Sequence, residues 1–105
     1  MKTKVVDRRY DLVRVAWMAG ELKSFAQIWD IVPRSVANGD LHMRFDYFSK
    51  KLKDPQLFRF KEIRELARLT KVEFRYLLGL VADAIDEVER MNGGAEQPPS
   101  AQEAG

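Results

Sequence analysis

The chain has no cysteine and only one histidine, His42, among its 105 residues. Without thiols there is no disulfide framework and no thiolate metal site, a usage that fits a reducing compartment. One imidazole and no thiol leave zinc without a ligand set. A nucleophilic triad would have to join His42 to Ser24, Ser35 or Ser49, and none of these lies in a nucleophile-elbow glycine pattern. There is no glycine-rich phosphate loop. Long apolar runs are also missing. The stretch from Leu77 to Ala82 is six residues long and includes Gly79, whereas a membrane span needs about 20 apolar residues. The N-terminal segment holds Lys2, Lys4, Asp7, Arg8 and Arg9 and lacks the apolar block of a secretory signal. These absences predict a cytoplasmic protein with no enzyme activity, no cofactor, no small-molecule substrate and no membrane partner.

Breakers are scarce and unevenly placed. Gly93, Gly94, Gly105, Pro98 and Pro99 all fall in the last 13 residues. That tail has no large apolar side chain, so residues 93–105 are expected to be disordered and residues 1–92 to form the domain. The domain keeps only Gly20, Gly39, Gly79, Pro33 and Pro55 and is rich in helix formers, which predicts an all-α bundle of five to six short helices.

The apolar spacing places the helices. The first runs from about Tyr10 to Ala19, with Leu12, Val13, Ala16 and Trp17 inward and Gly20 as its stop. Ser24 and Gln27 have the spacing of a capping box, opening a second helix with Phe25, Ile28, Trp29 and Val32. A short helix over Arg34–Asn38 meets an Asn38-Gly39-Asp40 turn signal. A fourth helix spans Met43 to Leu52 and is broken by Asp54-Pro55. A fifth covers Phe60 to Leu69, with Ile63, Leu66 and Ala67 inward and Phe60 as a further candidate. Thr70 and Glu73 suggest a second capping box. The last helix then carries Phe74, Leu77, Leu78, Val81, Ala82, Ile85 and Val88 on one stripe. Its acidic residues Asp83, Asp86, Glu87 and Glu89 read as a solvated face, with Asp86 spaced to pair with Arg90.

Charge is asymmetric. Residues 1–53 carry 11 Lys and Arg against 6 Asp and Glu, whereas residues 54–105 carry 7 against 10. A basic half suggests an anionic partner. The most informative stretch is 33–58. There a short helix and a tight turn lead to a second helix bearing Arg44, Lys50, Lys51 and Lys53, interleaved with Phe45, Tyr47 and Phe48. That is the plan of a helix-turn-helix unit.

At this point the chain resembles the lambda-repressor-like (Cro-type) helix-turn-helix DNA-binding domains, closest to a small bacterial and phage-type variant. The matching residues are Lys23-Ser24-Phe25 with Ile28, then Val32 to Val36, Asp40-Leu41, Met43 and Phe48. The match continues through Phe58 to Ile63, Leu66-Ala67 and Leu69 to Val72, so the resemblance spans roughly residues 10–81. It implies a transcription regulator that reads duplex DNA in the major groove with residues 43–53. Carried over by position, Arg44, Phe45, Asp46, Ser49 and Lys50 face the groove. Arg44 suits guanine, Asp46 a cytosine amine and Phe45 a thymine methyl. Lys50, Lys53 and Arg34 are assigned to phosphates, with Ser35 near a helix start.

The chain departs from that pattern at three positions. His42 stands where the family has a left-handed glycine, Asn38 where it has a small alanine, and Arg59 where it has a Ser or Thr cap. Two registers stay open for the basic helix: a core stripe of Leu41, Phe45, Phe48 and Leu52, or one of Met43, Tyr47, Phe48 and Leu52 that exposes Phe45. The turn has an alternative position at Asn38-Gly39. Asp46 fits either a specific base contact or a surface that does not touch DNA. Two further partner expectations follow. The last helix, about 27 Å long at 1.5 Å per residue, is a candidate homodimer surface. A protein-interaction module on the same scaffold is the alternative to DNA binding.

Overall fold

The computed structural model describes residues 6–92; residues 1–5 and the tail expected at 93–105 lie outside the described residues. The described chain is an all-α bundle of six helices: α1 Arg9–Met18, α2 Phe25–Ile31, α3 Arg34–Asp40, α4 Phe45–Lys53, α5 Phe60–Thr70 and α6 Phe74–Met91. A single 3-10 turn, Pro55–Leu57, joins α4 to α5. No described helix is long and apolar enough to cross a membrane.

Local chemistry sets most of the boundaries. α1 ends where Gly20 takes φ 75°. The Gly20 N–H then bonds the Trp17 carbonyl and the Glu21 N–H bonds the Ala16 carbonyl. This is the paired bonding of a Schellman stop, which favours glycine because the left-handed residue carries no Cβ. α2 opens with the expected capping box: Ser24 Oγ accepts from the Gln27 N–H and Gln27 Oε1 accepts from the Ser24 N–H. α5 keeps half of such a box. Glu62 accepts from the Arg59 N–H at 2.9 Å, but a guanidinium has no lone pair with which to return the bond.

The core is one cluster built around Tyr10, Val13, Leu22, Ile28, Phe48, Ile63, Leu66 and Leu77, all at most 2% exposed. Four aromatics meet edge to face within or against it. Phe25 contacts Trp29 and Phe58, and Phe48 contacts Trp29 and Phe58, with centroids 5.1–6.3 Å apart. Edge-to-face pairs of this kind add to the burial energy of each ring. α6 closes the domain with Leu77, Leu80 and Val81, and the Tyr76 hydroxyl donates to the Leu22 carbonyl at 2.5 Å. The Tyr10 hydroxyl donates to Asp40 at 2.7 Å, tying α1 to the end of α3. Burial first, and then the Asp40 carboxylate, push the Tyr10 phenol well above its ordinary value.

Several sequence expectations are corrected. Leu12 does not face the core but is 55% exposed, because Tyr10 and Val13 set the inward direction of α1. Phe60, a candidate for the interior, is 73% exposed. Thr70 does not cap α6. Its hydroxyl donates to the Leu66 carbonyl and accepts from the Val72 N–H, so it is engaged at the end of α5, and Glu73 takes the cap position of α6 without a side-chain bond. Arg90 pairs with Glu87 rather than Asp86. α3 extends through Asn38 and Gly39 to Asp40, which removes the alternative turn at those two residues.

Candidate nucleic-acid interface

The turn between α3 and α4 is made of Leu41, His42, Met43 and Arg44. Its geometry depends on two of the departures noted above. Asn38 holds Met43 from both sides: its carbonyl accepts the Met43 N–H at 2.9 Å and its side-chain amide donates to the Met43 carbonyl at 3.0 Å. Met43 is therefore a turn residue, and α4 begins at Phe45 instead of Met43, with Arg44 as its extended cap. His42 has φ 56°, the left-handed conformation for which glycine is the usual residue and which histidine adopts more readily than most other side chains. Its N–H bonds the Gly39 carbonyl at 3.1 Å.

The structure resolves the register of α4. Phe48 is fully buried, whereas Phe45 is 49% and Tyr47 56% exposed. Met43 and Leu52 are packed against the core. Phe45 therefore leaves the core, and Tyr47 does not enter it. At 100° per residue, Asp46, Lys50 and Lys53 lie about 140–200° around the helix from Phe48. All three are exposed, and half-buried Ser49 lies between that arc and Phe45. The fourth base of the stretch, Lys51, does not join them. Its ammonium bonds Glu62 of α5 at 2.6 Å with both side chains about 15% exposed. That pair anchors α4 to α5 and leaves Lys50 and Lys53 for solvent.

At the leading end of α4, Arg44 lies between two neighbours. Its guanidinium donates to Asp46 at 3.3 Å and sits 5.5 Å from the centre of the Tyr47 ring. Asp46 also accepts from the Tyr47 N–H at 3.0 Å. Asp46 thus pairs with the arginine at the surface and is a favourable charge at the helix N-terminus. Lys50, Lys51 and Lys53 in the last turn complement the other end of the dipole.

Arg34 and Ser35 open α3 and are exposed; among the described residues neither side chain forms a hydrogen bond or ion pair. The structure places them on a separate helix that packs against α4. Two residues beside the basic side chains of α4, Tyr47 and Arg59, are not in the set drawn from the sequence. Tyr47, Lys50, Lys51, Leu57 and Arg59 line a shallow groove of about 320 Å³ beside α4. Arg59 enters it only because the 3-10 turn folds the chain back, which no local motif signals. Tyr47 was legible as an aromatic among bases but not as the platform for Arg44. Among the described residues no group of three His, Asp or Glu side chains is placed to hold a metal ion.

Compared with protein-family models, curated proteins and solved structures, the chain matches none.

Proposed function

We propose that this chain is a cytoplasmic DNA-binding protein, a transcription regulator of helix-turn-helix type, that lays α4 in the major groove of duplex DNA. One observation carries the reading. α4 turns Phe48 and Leu52 toward the core and sends Asp46, Lys50 and Lys53 outward, with half-buried Ser49 at the edge of that arc and Arg44 at its leading end. The major groove is about 12 Å wide and admits one helix. A helix entering end-on brings its N-terminal side chains to base edges and its flanks to the phosphates.

In this reading Arg44 and Phe45 lead toward the bases. Arg44, oriented by Asp46, presents two donors to guanine O6 and N7, and Phe45 supplies an apolar edge to a thymine methyl. Lys50, Lys53 and Arg59 contact the phosphates on one side, and Arg34 and Ser35 those reached by α3. The phosphate contacts supply salt-dependent affinity and the Arg44 end supplies selectivity.

Fluorescence anisotropy with genomic fragments at two salt concentrations tests this. Binding that weakens steeply with salt and is lost in Arg44→Ala/Lys50→Ala supports it; no binding at low salt refutes it. The exposed Phe45 and Tyr47 favour a second reading, in which the same helix is a protein-docking surface. Light scattering after size-exclusion chromatography, with and without Phe45→Ser/Tyr47→Ser, separates the two.

A further inference from the structure

α6 carries more apolar surface than its own core uses. Leu77, Leu80 and Val81 are buried. With Leu77 set at 0°, Ile85, Leu78 and Ala82 follow at about 80°, 100° and 140° around the helix. Leu78 and Ile85 are half-buried and Ala82 is exposed. This second stripe borders a groove of about 310 Å³ whose other walls include Phe58 and Phe60, with Gln56 the one polar side chain among the described residues that line it. Phe60 is 73% exposed there. A helix that closes a single core needs only one apolar stripe.

Opposite charges bracket the second stripe at equal distances. Arg75 stands seven residues before Ala82 and Glu89 seven after it, at about 160° and 120°, so each lies about 10 Å along the axis from Ala82 on the same side of the helix. Both are exposed, and neither side chain has a hydrogen bond or ion pair among the described residues. All these positions belong to one continuous helix, Phe74–Met91, so a single rise and angle place them. From Leu78 to Ile85 the sector between about 80° and 140° holds no charge; Asp86 lies at its edge, at about 180°.

We infer that this face of α6 is a self-pairing surface on which a second copy of this chain packs antiparallel, about a two-fold axis level with Ala82. Such an axis sets each residue against one equally far on the other side. Ile85 therefore meets Leu78 of the other copy, and Arg75 meets Glu89 with Asp86 beside it, each contact made twice. Ala82 meets Ala82, where small side chains let the helices approach closely. A parallel pairing would set like charge against like at both ends. A charge pattern that complements itself on reversal thus selects a second copy, and the antiparallel arrangement. One helix from each copy offers a modest contact, so the dimer depends on concentration. This inference does not rest on DNA binding.

Sedimentation equilibrium of the full chain up to millimolar concentration is the test. We expect a monomer–dimer equilibrium, and Ala82→Glu is expected to weaken it by about tenfold or more. Arg75→Glu weakens it by a smaller factor, and adding Glu89→Arg to that variant recovers most of the loss. These positions are exposed, so thermal unfolding of each variant verifies that the fold is intact. A monomer at every concentration overturns the inference, as does a dimer indifferent to Ala82→Glu. A double variant that dimerises no better than Arg75→Glu alone overturns it as well.

Discussion

The placement of the outward face of α4 depends on one residue being inside and a neighbour three positions earlier being outside. Phe48 is fully buried and meets Trp29 and Phe58 edge to face at 5.1 and 6.3 Å. Truncating a buried phenylalanine to alanine costs about 3–5 kcal/mol, through lost transfer energy and the cavity left behind. A domain of this size holds roughly 4–13 kcal/mol in total. Phe48→Ala therefore removes a large share of the stability, and Phe48→Leu, which keeps most of the volume, removes about 1–1.5 kcal/mol. Phe45 is half exposed and keeps much of its water contact in the folded state, so Phe45→Ala costs no more than about 1 kcal/mol. Urea titration read by far-ultraviolet circular dichroism measures all three, and tryptophan fluorescence in a Trp17→Phe background reports on the cluster through Trp29. A Phe45→Ala variant as destabilised as Phe48→Ala would refute the register, and with it the placement of Asp46, Lys50 and Lys53 on the outer face.

Three further outcomes are expected. At His42, where φ is 56°, substitution by glycine leaves stability equal or higher, whereas valine, which resists that backbone, lowers it by about 1–3 kcal/mol; thermal melts of the two variants suffice. The raised phenol of Tyr10 makes stability fall as pH rises above about 10, because the unfolded chain loses that proton while the folded one keeps it. Urea midpoints at pH 8 and about pH 11 should show this extra loss in the parent and not in Tyr10→Phe. Thr70→Val leaves the buried Val72 N–H without its acceptor and costs about 1–2 kcal/mol, whereas Thr70→Ser retains most of the stability, both read from denaturant curves.

The sequence alone determined what local physics controls. Scarce glycine and proline and a helical apolar period led to an all-α bundle of five to six helices, of which the structure shows six among the described residues. Ser24 with Gln27 set the start of α2, Gly20 the end of α1, and Asp54-Pro55 the end of α4, because caps and breakers act within a turn of the residue that carries them. Tertiary structure decided the rest. Two apolar stripes were open on α4, both with Phe48 and Leu52 inward; the packed structure follows neither completely, burying Leu41, packing Met43 against the core and leaving both Phe45 and Tyr47 out. Thr70 looked like a cap for α6 but found closer partners in Leu66 and Val72. Lys51 was one base among four until Glu62, 11 residues on, claimed it. The outward placing of Leu12 on α1 was hidden for the same reason. A helix with apolar residues on two sides does not say which side the core takes, and the answer lies in contacts made by distant parts of the chain.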